Sequence, residues 1–163
     1  MNKADIEINI EDSNWQSELS NAEEVINKAC TSALKAAGIS VYADNIEISI
    51  LLTNDQFIQK LNKDYRSKNK PTNVLSFPLE ELSAGNYHDV DKQIALGDII
   101  FAFETIKNEA SAEEKPIESH LTHLAIHGTL HLLGYDHEED ADAEIMEALE
   151  IKILASLGIS NPY

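Results

Sequence analysis

The sequence predicts a single α+β domain over residues 1–163, with about four strands, four to five helices and a metal-binding helix near its C-terminus. Three observations carry that expectation. Apolar and polar residues alternate at Ile6, Ile8 and Ile10 and again at Ile46, Ile48, Ile50 and Leu52, the two-residue period of half-buried strands. Other stretches place apolar residues three and four apart between capping and glycine signals, the pattern of amphipathic helices. His120, His123, His127 and His131 share one narrow arc of a helical wheel whose remainder is mostly leucine, isoleucine and alanine. That describes a helix buried nearly all round, with one polar strip.

The first strand occupies about residues 4–10. Asn21 and Glu24 have the form of a capping box, and Val25, Ile26, Cys30 and Leu34 continue a helix to a glycine stop at Gly38. After the second strand, Thr53 and Gln56 form a second capping pair for a short helix that turns Phe57, Ile58 and Leu61 inward. Pro71 ends any continuation, and residues 73–78 read as a short strand closed by Pro78. Residues 79–94 are polar and irregular, a surface loop able to flank a site. Residues 95–102 are almost continuously apolar after Asp98 and so belong to a central strand. Pro116 suits the first turn of the histidine helix. Past His137, the acids Glu138, Glu139, Asp140, Asp142 and Glu144 lead into a last helix, where the dipole favours them. Its apolar side is Ile145, Met146, Leu149, Ile153, Leu154 and Leu157, and Gly158 stops it. These patterns leave the strand order open.

A chain of 163 residues can bury a substantial core. Cys30 is the only cysteine, which excludes an internal disulfide and makes the cytoplasm the expected compartment. The acid-studded N-terminus does not read as a signal peptide or an anchor, so no membrane partner is expected. The net charge of −17 argues against a nucleic acid held by bulk electrostatics, and DNA is not expected as a partner. One stretch departs from that balance. Lys60, Lys63, Arg66, Lys68 and Lys70 face only Asp64 in residues 60–70, and Arg66 is the sole arginine of the chain. By position alone, this run equally describes the solvated end of a helix.

The sharpest local pattern is His127-Gly-Thr-Leu-His131-Leu-Leu-Gly134-Tyr-Asp-His137. On a helix, residues four apart project from one face, about 6 Å apart along the axis, so His127 and His131 can grip one ion. Gly134 falls where a helix stops with a left-handed residue, and the chain can turn there and bring His137 to the same ion. Three imidazoles without a fourth protein ligand suit a catalytic zinc site more than a closed structural one. The spacing matches zinc peptidases of the form H-E-x-x-H-x-x-G-x-x-H in every histidine and in the glycine, but Gly128 stands where those enzymes carry the glutamate base. Peptide hydrolysis by that route is disfavoured, while the capacity for Lewis-acid chemistry remains.

The same eleven residues, in the form H-G-x-L-H-L-x-G-Y-D-H, resemble the signature of the YbeY family of bacterial metal-dependent endoribonucleases. Leu61-Asn-Lys-Asp-Tyr-Arg66 with Pro71-Thr-Asn-Val-Leu-Ser-Phe-Pro78 looks like the family's second block, and Leu96-Gly-Asp-Ile-Ile100 like its third. The family usually has aspartate where this chain has Asn73. The resemblance implies a small mixed sheet packed with helices, one zinc ion on His127, His131 and His137, and Arg66 as the functional arginine of the metal cleft. It implies an endoribonuclease of ribosomal RNA processing, at the 3′ end of 16S rRNA and in ribosome quality control, with ribosomal RNA and the ribosome or its proteins as partners. Two other readings are a non-catalytic, zinc-stapled ribosome-associated RNA-binding factor and a metal hydrolase of another substrate. Asp136 reads as a turn cap ahead of a partner for a ligand imidazole, and His123 as a neighbour of the ligands, an RNA-facing group or a structural residue.

Overall fold

The alternating isoleucines form the strands they predict. The computed structural model describes residues 3–163. Strands β1 (Lys3–Ile10), β2 (Asn45–Thr53), β3 (Val74–Pro78) and β4 (Gln93–Ala102) make one sheet in the order β1-β2-β4-β3. β1 and β4 both run parallel to β2, and β3 lies antiparallel to β4. The sheet is therefore mixed, and β4 occupies the interior position that its apolar run implied.

Among the described residues, six α-helices accompany it: α1 (Asn14–Glu18), α2 (Ala22–Ala37), α3 (Asp55–Arg66), α4 (Phe103–Ala112), α5 (Ile117–Leu132) and α6 (Asp140–Ser156). The two without a marker in the sequence reading are α1, a single short turn, and α4, which starts directly after β4 with no breaking residue between them. Both are fixed from elsewhere in the fold. Trp15 of α1 is fully buried, donates its indole N–H to the Thr53 carbonyl at 2.8 Å and meets Phe103 of α4 edge to face at 5.2 Å.

Ile46, Ile48, Ile50 and Leu52 of β2 join Ile26, Cys30 and Leu34 of α2 and Leu121, Ala125 and Leu130 of α5 in the main core. A smaller cluster of Ile58, Leu75, Ile100 and Ala102 gathers under α3 on the other face of the sheet. Side chains alternate across a strand, so this division follows from the register. The histidine helix α5 is thus sandwiched, as its apolar composition required, and among the described residues no helix is long and apolar enough to cross a membrane.

Two predicted caps are corrected. Thr53 is buried at the end of β2, and the cap of α3 is Asn54, whose extended backbone lets its side-chain oxygen accept from the Phe57 N–H at 2.9 Å. Asn21 precedes α2 but makes no side-chain cap; its amide donates instead to Glu118 of α5 at 3.3 Å. Ile145, expected on the apolar side of α6, is 58% exposed because that helix buries only Met146, Glu150, Ile153 and Leu154.

Candidate metal centre and its cleft

Where α5 crosses the sheet, Gly128 permits a close approach. A Cβ on Gly128 would stand 2.9 Å from Cγ2 of Ile99 and 3.1 Å from the Ser76 hydroxyl, which itself donates to the Gly128 carbonyl at 3.1 Å. The position at which a zinc peptidase carries its glutamate is therefore packed against β3 and β4, with no room for a side chain. At the end of α5, Gly134 adopts φ +95° and lies so close to the Leu82 carbonyl that a Cβ would sit 2.2 Å from it. The left-handed turn and the docked loop together redirect the chain toward His137.

That loop is more ordered than its polar composition suggests. Tyr87 is buried, and its hydroxyl donates to the Leu133 carbonyl at 2.8 Å, satisfying one of the acceptors that a helix end leaves free. Residues 80–83 thereby line a cleft of about 840 Å³ together with His127, His131 and His137. Arg66 lines the same cleft from the end of α3 and is, among the described residues, the only Lys or Arg to do so; Lys60, Lys63, Lys68 and Lys70 are not among its lining residues. The remaining charge around the cleft is acidic, from Glu80, Glu81, Asp136 and Glu138.

One donor nitrogen from each of His127, His131 and His137 falls within 4.8 Å of the others. His131 Nδ1 is 3.0 Å from the Tyr135 carbonyl, which can only accept, so that nitrogen carries the ring proton. His127 Nδ1 is likewise 2.8 Å from a carboxylate oxygen of Glu150. In the neutral rings, both Nε2 atoms then present lone pairs to each other across 3.1 Å. Two acceptors at hydrogen-bond distance with no proton between them are relieved by a shared cation, and three imidazoles are a good donor set for a borderline transition metal. The residues present thus fit a divalent ion.

Electrostatics agree with that use. Burial, followed by the neighbouring His127 and His137, pushes the His131 pKa down to about 4, which keeps its ring neutral for coordination near neutral pH. Burial alone would raise the Glu150 carboxyl, but hydrogen bonds from His123, His127 and Tyr163 outweigh it and hold it down at about 2. Glu150 escaped sequence reading, although a signal exists: it falls four residues after Met146 and three before Ile153, a carboxylate within the buried stripe of α6.

His123 donates toward Glu150 at 2.8 Å and stands beside the site without joining the three-nitrogen cluster. His120 is buried against Glu109 at 2.8 Å, with its pKa lowered by burial, away from the cleft. Asp136 accepts from the His137 backbone N–H at 2.7 Å, which is the turn-capping role. Asn73 accepts from the Val74 N–H and donates its amide to Glu109 at 2.9 Å, so it serves the Glu109–His120 network.

The family model described as Endoribonuclease YbeY matches residues 7–158. The chain belongs to the YbeY family. Among curated relatives, the Endoribonuclease YbeY of Azorhizobium caulinodans is 50% identical over 159 residues, covering 98% of this chain and 96% of that one. The Endoribonuclease YbeY of Bradyrhizobium sp. strain BTAi1 is 48% identical over 149 residues, 91% of this chain and 86% of its own. The solution structure of TM1509 from Thermotoga maritima shares the fold, with TM-score 0.53 and 23% identity over 94% of this chain and 91% of that one. In this YbeY chain, the amide of Asn73 meets Glu109; an aspartate there would set a second carboxylate against it.

Proposed function

We propose that this chain is a zinc-dependent endoribonuclease of the cytoplasm that matures ribosomal RNA, at the 3′ end of 16S rRNA, and that it also serves ribosome quality control. The observation that carries the reading is the convergence of three imidazoles and the single arginine on one cleft. Membership of a family named for endoribonuclease activity supports the reaction class.

In this reading, His127, His131 and His137 hold one zinc ion, and Arg66 is the catalytic arginine. Bound there, such an ion would supply a Lewis acid for the phosphodiester and would lower the pKa of water. Arg66 binds a phosphate oxygen through its planar fork and offsets charge that builds at phosphorus as the bond breaks. His131, fixed by the Tyr135 carbonyl, and His127, fixed by Glu150, keep the nitrogens that face the ion free of protons. The docked loop over residues 80–83 walls off one side, and its carboxylates repel phosphate, so the backbone is steered toward Arg66. With the lysines of residues 60–70 outside the cleft, RNA affinity rests on few cationic contacts within the site and on basic partners such as ribosomal proteins.

A role limited to stapling the last two helices is less well supported. α5 and α6 are already joined by Glu150 to His123 and His127 and by packing around Met146 and Leu154. The experiment that tests the reading is cleavage of precursor 16S rRNA by zinc-loaded protein beside folded Arg66→Ala and His131→Ala variants. Cleavage only by the parent is expected; equal cleavage by all three refutes the assignment.

A further inference from the structure

The ring of His127 is held from behind by a carboxylate that the fold buries completely. Glu150 is 0% exposed. Its Oε2 lies 2.8 Å from His127 Nδ1, its Oε1 lies 2.8 Å from His123 Nε2, and the Tyr163 hydroxyl also donates to Oε1. The other residues that α6 buries, Met146, Ile153 and Leu154, are all apolar. A charge in such a stripe is costly unless it is hydrogen-bonded, and packing alone would be served by a leucine. Three donors on two oxygens remove that cost.

The geometry has a chemical consequence. An ionised carboxylate only accepts, so in the neutral ring the proton of His127 sits on Nδ1, and Nε2 is left bare and turned toward His131. His131 has its own fixed acceptor in the Tyr135 carbonyl. His137 is exposed, and its ring has no hydrogen-bond partner among the described residues. Two ligands are therefore set before an ion arrives, and the ring of the third rests against theirs, with centroids 5.2 Å from His127 and 4.9 Å from His131. A metal-bound imidazole whose other nitrogen donates to a carboxylate is also the stronger ligand.

We propose that Glu150 is the positioning residue of this centre: it fixes His127 as the Nδ1–H tautomer and aims its Nε2 at the ion, with Tyr163 and His123 holding the carboxylate in turn. This rests on the reading of the three histidines as a metal clamp. Tyr163 thereby links the segment after α6 to the site, since its hydroxyl and His123 share one carboxylate oxygen.

The test uses the full chain with Glu150→Gln and Tyr163→Phe, each checked for folding by circular dichroism. Glutamine keeps the shape, loses the charge and can accept from only one imidazole at a time. In the metal-free parent, nitrogen-15 spectra should show His127 protonated at Nδ1 alone, and in Glu150→Gln a mixture of tautomers. Zinc affinity, read by competition with a chromogenic chelator, should fall about 10- to 100-fold in Glu150→Gln and by a smaller factor in Tyr163→Phe. A folded Glu150→Gln with the parent's tautomer and zinc affinity overturns the proposal. So does a folded Tyr163→Phe of unchanged affinity where Glu150→Gln fails to fold. A parent that binds no zinc at all refutes the clamp itself, and the proposal with it; these failures differ in whether the parent binds.

Discussion

Nε2 of His127 and Nε2 of His131 stand 3.1 Å apart, each with its ring proton committed on the far side to Glu150 and to the Tyr135 carbonyl. The pair is preorganised for a cation and mutually repulsive without one. Zinc should therefore stabilise the fold by mass action, by about 4 kcal/mol at a thousand-fold excess over Kd. The check is a melting curve with and without zinc; His131→Ala should melt at one temperature in both.

Acid should weaken the metal-free protein in two steps of the same sign. His131 takes up a proton near 6.5 when unfolded but only near 4 when folded, so falling pH favours unfolding across that interval. The Glu150 carboxyl has an ordinary value of 4.5 and a folded value of about 2, so its stabilisation is present above about 4.5 and is lost as the pH falls toward 2. Urea midpoints of the metal-free protein should be flat from about pH 6.5 up to about 9, where the Cys30 thiol of the unfolded chain begins to ionise, and fall continuously below about 6.5, and zinc should be released over the same acid range as protons compete for the ligands.

Asn73→Asp should destabilise the protein without touching the cleft. The change removes the amide donor to Glu109 and sets two carboxylates together beside buried His120, a loss of about 1–3 kcal/mol. Urea denaturation measures it, and adding Glu109→Gln should restore most of the loss.

Gly128→Ala should be destabilising by about 1–3 kcal/mol, since the new methyl lies 2.9 Å from Ile99. The helix crosses the sheet at that point, so relief requires α5 itself to shift and carry His127 and His131 with it. Thermal melting and zinc affinity should fall together.

Arg66→Ala should leave zinc affinity and melting temperature unchanged, because the side chain is exposed at the end of α3 and carries no structural bond among the described residues. RNA cleavage should drop about 10²- to 10³-fold, the usual effect of losing one group that stabilises transition-state charge. Arg66→Lys should recover only part of it, since a point charge lacks the bidentate fork.

The parts of this site legible in the sequence were those set by local geometry. His127 and His131 share a face because four residues nearly complete a helical turn, and Gly134 marks the turn because only glycine sits easily at φ +95°. Arg66 stood out as the lone arginine, but sequence could not say that its four lysine neighbours lie outside the cleft, because that depends on how α3 meets β3. Residues 79–94 read as a polar loop, although Gln93 and Ile94 already belong to β4; what fixes the rest is long-range, Tyr87 reaching Leu133 and the Leu82 carbonyl lying against Gly134. Glu150 was hidden for a related reason. A carboxylate on a helix with many others looks solvated until the facing helix shows two imidazoles waiting for it.

Chelation and rescue test whether RNA cleavage runs through the three-histidine centre. Precursor 16S rRNA is incubated with chelated protein, with the same protein after zinc is restored, and with His131→Ala given the same zinc. Cleavage that disappears on chelation, returns with zinc and never appears in His131→Ala is the predicted result. Cleavage by the chelated protein at the rate of the zinc-restored protein would contradict it.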